Sequence, residues 1–369
     1  MKILVTGSKG FVGRNLVVEL RNRGYQEIYE FDVDTDRCLL DVYTKECGFV
    51  FHLAGVNRPE DEKDFITGNV GFTSKLLNSL QKNNNISPVL VTSSTQAVLD
   101  NPYGKSKKAV EDLLFEYNKT TGANVYVYRL TNLFGKWSRP NYNTVVATYC
   151  YNIARNLEIQ VNNSDADLHL CYIGDVINEF FNALAGSPTR DGNYCIVPVT
   201  YHIKLGEIAR RIKSFAESRQ NLCIPDMSDE LTRKLYSTYV SFLPKESFAY
   251  SLRVNTDSRG FFAEFIRTPD RGQLSINVSK VGMTKGNHWH HTKSEKFLVV
   301  SGQAVIRFRK IDEQEIVEYR VSGEQLQVVD IPTGYVHSIT NIGDTDLVTV
   351  MWASESFNPE RPDTYFMEV

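Results

Sequence analysis

Residues 1–13, MKILVTGSKGFVG, decide the fold of the first part of the chain. The apolar run ILV comes directly before a glycine-rich turn, and apolar residues at helical spacing follow it. Gly7 permits a tight turn, Gly10 lets the backbone approach a pyrophosphate, and Gly13 permits close packing of a helix on a strand. The stretch therefore predicts the strand–turn–helix unit that binds a dinucleotide.

Residues on either side of this turn bear on the choice of dinucleotide. The helix that begins at Phe11 and Val12 would offer free N–H groups to the phosphates. Asp32 ends the second predicted strand, where a carboxylate can accept hydrogen bonds from ribose hydroxyls and repel a 2′-phosphate. Arg14 and Arg37 lie close enough in sequence to offset that charge. The residues alone thus leave NAD and NADP open.

The rest of the chain shows two different patterns of apolar residues. Up to about residue 185, apolar runs alternate with helical patterns, which predicts a doubly wound α/β sheet with the strands KILVTG, EIYEFD, FVFHLAG, PVLVTSS and VYVYRL. Residues 206–243 predict helices, and short alternating strands follow, which is typical of an antiparallel sandwich or barrel. We predict a Rossmann-type domain over 1–243 and an all-β domain over 244–369.

Composition excludes several classes of protein. A net charge of −3 among 369 residues gives no support for binding nucleic acid or an anionic membrane. No apolar stretch reaches the ~18 residues that span a bilayer, and the N-terminus lacks the features of a signal peptide. We therefore expect a cytoplasmic protein, and its six scattered cysteines are expected to be free thiols.

Tyr103 and Lys107 are four apart in NPYGKSKKAVEDLL, a predicted helix that places both side chains on one face. We expect the ammonium to lower the pKa of the phenol, so that the tyrosine can protonate the alkoxide formed when hydride reaches a carbonyl. The preceding strand end, VTSSTQA, offers Ser93, Ser94 and Thr95 as a hydroxyl that polarises the carbonyl. The pattern predicts a ketone reductase.

Residues 1 to about 240 resemble the extended short-chain dehydrogenase/reductases that act as nucleotide-sugar epimerases and dehydratases. The matching motifs are TGSKGFVG, FVFHLAG, GNVGFTSKLL, TSST, YGKSK and YRLTNLFG. The resemblance implies that Thr95, with Ser94 as the alternative, joins the Tyr–Lys pair. It also implies that Asp41 lies near the adenine, and Arg129 and Asn132 near the sugar nucleotide. The connection from TSST to YGKSK is shorter than the family usually shows.

A second cluster of chemistry-bearing residues lies in the all-β part. His288 and His290 are two apart, hence on one face of a strand, and Glu295 follows across a turn. His337 comes later, beside another turn. Three imidazoles and a carboxylate suit Zn(II) or another borderline divalent metal. His291 alternates to the other face and is expected at the surface.

This region resembles the two motifs of the cupin barrels. Residues 257–264 and 282–288 further resemble the deoxysugar 3,5-epimerase cupins, in which the residue matching His288 is the general base and no metal is required. Two roles for His288, ligand or base, therefore remain open. The tyrosine acid of that family has no clear counterpart in SESFNPE, which favours a single inversion over a double one.

The whole chain resembles the bifunctional epimerase/reductases of UDP-N-acetyl-L-fucosamine synthesis in bacterial capsule and O-antigen pathways. The resemblance implies a UDP-linked 2-acetamido-2,6-dideoxy-4-hexulose, C3 epimerisation in the cupin, and NADPH-dependent C4 reduction to the L-talose sugar. It also implies a homodimer. The alternative is a reductase alone, with a cupin domain that serves dimerisation or substrate gating. A non-catalytic dinucleotide sensor is a further rival, which the Tyr–Lys pair argues against.

Overall fold

The computed structural model describes residues 1–59, 61–142 and 144–369. The chain forms two compact units, Met1–Ile212 with Arg233–Pro244, and Lys213–Thr232 with Lys245–Val369. Within the described ranges, none of the helices combines the length and apolar character that a membrane crossing requires. The boundary placed at residue 243 stays a prediction.

The described residues of the first unit form ten strands in two sheets. The larger sheet has the order β2-β1-β3-β4-β5-β9-β8, and β1 to β5 run parallel. The smaller sheet has the order β10-β7-β6. The strands are β1 (Ile3–Thr6), β2 (Ile28–Phe31), β3 (Phe49–His52), β4 (Val89–Ser94), β5 (Val125–Leu130), β6 (Asn132–Phe134), β7 (Asp167–Tyr172), β8 (Arg190–Asp191), β9 (Tyr194–Cys195) and β10 (Tyr201–Lys204).

Helices cover both faces of the larger sheet because its strands carry apolar side chains on both sides. Ile3 and Val5 pack in one core with residues of α1 and α7, whereas Leu4 packs in the other with residues of α4 and α5. The helices of the chain are α1 (Phe11–Asn22), α2 (Leu39–Glu46), α3 (Lys63–Phe65), α4 (Phe72–Lys82), α5 (Pro102–Thr121), α6 (Val145–Ile153), α7 (Ile173–Leu184), α8 (Leu205–Asn221) and α9 (Glu230–Ser241). This layering confirms the predicted Rossmann-type domain.

The second unit contains two antiparallel sheets of the cupin type, with the orders β11-β12-β13-β20-β15-β18 and β17-β16-β19-β14-β21. Apolar residues from both sheets form its core, among them Phe297, Ile306 and Ile339. The strands are β11 (Val254–Asp257), β12 (Gly260–Thr268), β13 (Gly272–Ser279), β14 (Thr284–Trp289), β15 (Glu295–Ser301), β16 (Gln303–Lys310), β17 (Ile316–Ser322), β18 (Val328–Ile331), β19 (Tyr335–Asn341), β20 (Leu347–Ala353) and β21 (Tyr365–Phe366).

The five strands predicted before residue 185 are confirmed as β1 to β5, whereas the smaller sheet of the first unit, a π-helical turn and strand β21 were not predicted. The helix over residues 63–82 contains a π-helical turn at Ile66–Gly71, between α3 and α4. Strand β21 pairs with β14 at the edge of the smaller cupin sheet, far from it in sequence.

Candidate functional site

The glycine turn packs so tightly that side chains cannot be added to it. Gly7 adopts φ +68°, and a Cβ there would lie 2.7 Å from the Ala54 backbone nitrogen. A Cβ at Gly13 would lie 2.1 Å from the Gly7 oxygen. Gly10 is the N-cap of α1 and supplies no side chain to cap it. The first N–H groups of a helix lack partners inside the helix, so this turn fits the phosphates of a dinucleotide.

The residues predicted beside the adenosine have protein partners of their own. The Asp32 carboxylate accepts hydrogen bonds from the backbone N–H groups of Lys9, at 2.7 Å, and Val33. The Arg37 side chain is exposed just before α2. The Asp41 carboxylate interacts with the end of α4, where its partners are Ser79, Lys82 and Asn83. The predicted contacts of Asp32, Arg37 and Asp41 with the cofactor stay predictions.

Tyr103 lies in the first turn of α5, close to the end of β4. Ser94 is the N-cap of a 3-10 turn over Thr95–Val98, and its side chain accepts a hydrogen bond from Gln96 N. A Cβ at Gly104 would lie 2.3 Å from the Gln96 oxygen, so this glycine lets the 3-10 turn pack directly on α5. The short connection between TSST and YGKSK is therefore filled by one tight turn.

Of the three candidate hydroxyls, Ser94 is the one that interacts with the Tyr103 phenol. Burial raises the pKa of Tyr103, and a hydrogen bond with Ser94 opposes that rise. Ser93 is buried and donates to the Glu111 carboxylate at 2.6 Å, while Thr95 is exposed. The expected lowering of the Tyr103 pKa by the ammonium of Lys107 is wrong for this structure, because the effect of burial dominates.

Lys107 is buried on the same helix. Its Nζ donates to the Thr92 carbonyl oxygen at 3.0 Å and lies 5.8 Å from the centre of the Tyr103 ring. Burial lowers the pKa of Lys107 to about 8, and the nearby Glu111 carboxylate opposes this. The ammonium beside the Tyr103 ring is therefore charged at neutral pH.

A buried chain of hydrogen bonds, which the sequence analysis missed, begins at the glycine turn. Thr73 Oγ1 donates to the Asn69 carbonyl oxygen at 2.7 Å, so it must accept from Nε2 of His52 at 2.8 Å. Nδ1 of His52 then accepts from Thr6 Oγ1 at 2.7 Å. His52 is thus a neutral histidine, in agreement with its pKa, which burial lowers to about 3.

The same chain continues to the main chain of Tyr103. Asn69 lies in the π-helical turn, and its Nδ2 donates to Ser106 Oγ at 3.0 Å. Ser106 donates in turn to the Tyr103 carbonyl oxygen at 2.8 Å. The signals for this chain, His52 in FVFHLAG and Asn69 in GNVGFTSKLL, are both present in the motifs that carry the family resemblance.

Arg129 and Asn132, predicted near the sugar nucleotide, occupy different environments. The Arg129 guanidinium forms a bidentate ion pair with buried Glu111 and packs 3.8 Å from the centre of the Tyr194 ring. Asn132 is exposed at the start of β6 and donates to the His169 carbonyl oxygen. The structure gives Arg129 a structural partner, and the substrate contacts of both residues stay predictions.

The second unit brings together all four residues predicted to hold a metal. The ligand atoms of His288, His290, Glu295 and His337 lie within 4.8 Å of one another. Glu295 Oε2 is 3.6 Å from His290 Nε2 and 3.4 Å from His337 Nε2.

A β-bulge in β14 places His288 in this cluster. Gly286 pairs with Ser338 and His288 with His337, so Asn287 is an extra residue, and it adopts φ +57°. The bulge turns His288 to the same face as His337, with ring centres 4.5 Å apart. Burial, followed by the charges of the other two histidines, lowers the pKa of His288 to about 4.

The donor set fits a divalent cation. Among the described residues, the buried atoms His290 Nε2, Glu295 Oε2 and both ring nitrogens of His337 have no hydrogen-bond partner. His290 Nδ1 lies 2.6 Å from the Asp363 carbonyl oxygen, which can only accept, so Nδ1 carries a proton, and in the neutral imidazole Nε2 presents a lone pair to Glu295. A lone pair facing a carboxylate oxygen is repulsive unless a cation lies between them.

The predicted surface position of His291 agrees with its exposure.

The two sites and the folds that carry them agree with the protein families that match the chain. The family profile described as the NAD dependent epimerase/dehydratase family matches residues 3–193, and that of the polysaccharide biosynthesis C-terminal domain matches residues 255–365. The chain belongs to the NAD dependent epimerase/dehydratase family, which supports a nicotinamide cofactor. A reductase of Pseudomonas aeruginosa, UDP-2-acetamido-2,6-beta-L-arabino-hexul-4-ose reductase, is 44% identical over 369 residues, which are 100% of this chain and 99% of that relative.

Solved structures of related proteins are also similar to this chain in fold. The capsular polysaccharide assembling protein CapF from Staphylococcus aureus is 50% identical, with a TM-score of 0.95 and coverage of 100% of both chains. The UDP-glucose 4-epimerase of Thermotoga maritima is 18% identical, with a TM-score of 0.55 over 66% of this chain and 98% of that one. The second likeness shows the fold of the N-terminal part alone.

Proposed function

We propose that the chain is a bifunctional nucleotide-sugar enzyme. Its all-β unit epimerises C3 of a UDP-linked 2-acetamido-2,6-dideoxy-4-hexulose, and its N-terminal unit then reduces C4 with NADPH to UDP-2-acetamido-2,6-dideoxy-L-talose. The observation that carries the proposal is the arrangement of Tyr103, Ser94 and Lys107 beside a glycine turn. The relatives support the class: the Pseudomonas protein is named a reductase of a UDP-linked 4-hexulose, and CapF is named for capsular polysaccharide assembly.

Each residue of the reductase site has one task in the proposed reduction. The turn at Gly7–Gly13 would hold the phosphates of a reduced nicotinamide dinucleotide, which would supply the hydride for C4. The Ser94 hydroxyl donates a hydrogen bond to the C4 carbonyl oxygen and polarises it. The Tyr103 phenol gives its proton to that oxygen, so the ketone becomes an alcohol. The charge of Lys107 stabilises the phenolate that remains.

We propose that the imidazoles have two roles in the epimerisation, as metal ligands and as a general base. His290, Glu295 and His337 carry the unpartnered buried atoms and would hold a divalent ion, Zn(II) or a similar metal, which supplies Lewis-acid polarisation of the C4 carbonyl. His288 is less deeply buried than His290 and His337, and we assign it the general base. It removes the C3 proton, which the C4 carbonyl acidifies. A proton from water on the opposite face completes the inversion.

The remaining features of the proposal are the cofactor, the assembly and the compartment. NADPH as reductant and a homodimer follow from the resemblance of the whole chain to the epimerase/reductases, and a cytoplasmic location follows from the sequence. They stay predictions. Measurement of KM for NADPH and NADH, and of molar mass in solution, tests the first two.

Proton exchange at C3 tests the order of the two reactions. The UDP-linked 4-hexulose is incubated with the protein in heavy water without reduced cofactor, and NADPH is added later. We expect deuterium at C3 before any reduction. Tyr103→Phe should exchange C3 and fail to reduce, whereas His288→Gln should lose exchange and still reduce a substrate that is already epimerised.

The same experiment separates the proposal from its alternative. If His288→Gln and His337→Gln both exchange C3 at the wild-type rate, the all-β unit is not the epimerase. It then serves dimerisation or substrate gating beside a reductase. If hydride from labelled NADPH never reaches the sugar, the reductase assignment is wrong.

A further inference from the structure

Residues 362–366 lie against the strand and loop that carry His290. Strand β21 pairs with β14, with Phe366 opposite His288 and Tyr365 opposite Trp289. The Tyr365 and Trp289 rings stack with centres 4.8 Å apart. Residues separated by more than 70 positions in sequence thus form one surface beside the imidazole–carboxylate cluster.

The Asp363 carboxylate holds the loop that follows His290. It accepts hydrogen bonds from the backbone N–H groups of His291 at 3.0 Å, Thr292 at 2.9 Å and Lys293 at 3.0 Å. It also accepts one from the Thr292 hydroxyl at 3.0 Å. Three successive N–H groups directed at one carboxylate fix the loop backbone as a unit.

Lys293 makes the reciprocal contact. Its side chain is buried, and Nζ donates to Thr364 Oγ1 at 3.0 Å and to the Pro362 carbonyl oxygen at 3.4 Å. Residues 362 and 364 thus accept hydrogen bonds from the Lys293 side chain, and the Asp363 carboxylate between them accepts hydrogen bonds from the loop. Each side of the contact satisfies polar groups of the other.

Asp363 also contacts His290 itself, through its main chain. Its φ of +37° lies in the left-handed region, where most residues with a side chain are strained and Asp and Asn are the exceptions. Its carbonyl oxygen accepts the Nδ1–H of His290 at 2.6 Å. One residue therefore fixes the loop with its side chain and the imidazole tautomer with its backbone.

We propose that Asp363 is a positioning residue for the imidazole–carboxylate cluster. It holds His290 as the Nδ1–H tautomer, with Nε2 directed at Glu295 and free to bind a cation. The part of this inference that concerns cation affinity rests on the metal site proposed above. The part that concerns the tautomer does not.

The expected size of the effect follows from how histidine ligands behave. Partners of the second ring nitrogen fix the tautomer and ring orientation, and their loss costs about 10- to 100-fold in metal affinity. Without the carboxylate, the 291–293 loop loses four of the hydrogen bonds that hold it against residue 363, so the Nδ1–H hydrogen bond to the carbonyl of that residue is weakened. His290 then populates both tautomers.

Asp363→Gly is the decisive variant, because glycine adopts the positive φ without strain and removes only the carboxylate. Asp363→Asn keeps the shape and the tolerance of positive φ while removing the charge. Asp344→Ala is the matched control, since it removes an exposed carboxylate from the same unit. Circular dichroism confirms that each variant is folded.

Zn(II) affinity is measured on the full-length chain by competition with a chromogenic chelator. The tautomer of His290 is measured on the metal-free protein by the ¹⁵N shifts of the ring nitrogens. We expect Asp363→Gly to bind Zn(II) about 10- to 100-fold more weakly than wild type, Asp363→Asn to fall between them, and Asp344→Ala to match wild type. We also expect wild-type His290 to carry its proton on Nδ1.

Failure of this inference and failure of the metal site give different results. If wild type binds Zn(II) and Asp363→Gly binds it within twofold, Asp363 does not position the ligand. If wild type does not bind Zn(II), the metal site is wrong, and the tautomer measurement decides the role of Asp363. A wild-type His290 protonated on Nε2 overturns the inference in either case.

Discussion

The Glu111 carboxylate accepts hydrogen bonds from Arg129 Nε at 2.8 Å and from Arg129 Nη2 at 2.6 Å. Its side chain is 0% exposed, against 22% for the arginine. Ser93 donates to the same carboxylate, and Lys107 lies one helical turn before it on α5. A buried ion pair thus stabilises the helix that carries Tyr103 and Lys107.

Glu111→Gln should destabilise the N-terminal unit strongly. The substitution leaves the Arg129 guanidinium partly buried without its counter-charge, which costs about 3 to 5 kcal/mol in comparable buried pairs. Asp112→Asn is the control on the same helix, because its ion pair with Lys108 is exposed, and its effect should be a small fraction of that. Denaturant unfolding measures both. Equal effects would show that the Glu111–Arg129 pair does not brace the helix.

Ser94→Ala should lower the rate of ketone reduction far more than Thr95→Val. Removing one hydrogen-bond donor to a developing oxyanion reduces kcat by about 10²- to 10³-fold. Thr95 is exposed, so its loss should change kcat only a few-fold. Steady-state oxidation of NADPH with the keto-sugar measures the difference. The opposite order of the two variants would restore Thr95 as the hydroxyl member.

The pKa of Lys107 predicts a pH-dependent stability. Burial lowers this pKa from 10.5 to about 8, so the unfolded chain binds more protons than the folded one between pH 8 and 10.5. The free energy of unfolding contributed by this group therefore rises with pH across that window. Below pH 8, burial of the charged ammonium lowers the free energy of unfolding by its full amount. The shift of the Lys107 pKa corresponds to about 3 kcal/mol.

Lys107→Met removes this cost together with the reductase activity. We expect the variant to gain stability relative to wild type at pH 7, and the gain to shrink as the pH approaches 10.5. Denaturant unfolding of both proteins at several pH values from 7 to 10 measures it. A difference that stays constant over this range would contradict the lowered pKa.

Gly13→Ala should abolish dinucleotide binding and lower Tm, because its Cβ would lie 2.1 Å from the Gly7 carbonyl oxygen. The nearest atom to an added Cβ at Gly71 is the Ile66 oxygen at 3.8 Å, so Gly71→Ala is a control that should be tolerated. Fluorescence of bound NADPH and thermal unfolding report the two effects. Normal NADPH binding by Gly13→Ala would contradict the predicted site.

Arg37→Ala tests the choice between the two cofactors. If the exposed guanidinium contacts the 2′-phosphate, its loss should raise KM for NADPH by about tenfold and leave KM for NADH unchanged. Asp32→Asn should act on NADH instead, because its carboxylate suits free ribose hydroxyls. An equal change for both cofactors in Arg37→Ala would remove this residue from the phosphate site.

The strand and helix order could be predicted because it depends on local pattern. The buried parallel strands are continuous apolar runs, and Gly7, Gly10 and Gly13 leave few other folds open. The clustering of His288, His290, Glu295 and His337 was also predictable, because all four lie on or beside short strands of one barrel.

The features that could not be predicted depend on which side chains meet in space. Nothing in the sequence indicates that Glu111, rather than a substrate, is the partner of Arg129. The same holds for Asp363, whose contact with His290 spans 73 positions. Ser94 and Thr95 are adjacent, and only the direction in which β4 ends tells which hydroxyl reaches Tyr103.

The bulge at Asn287 changes the face of β14 to which the following side chains point. In a regular strand, Lys285 and His288 would point to opposite faces, because they are three residues apart. Here the extra residue restores them to one face, and Lys285 reaches Asn277 of the facing sheet at 2.8 Å. The cluster can therefore be lost without any change to its own residues: a one-residue insertion after His288 would turn His290 outward while His288 stayed in place.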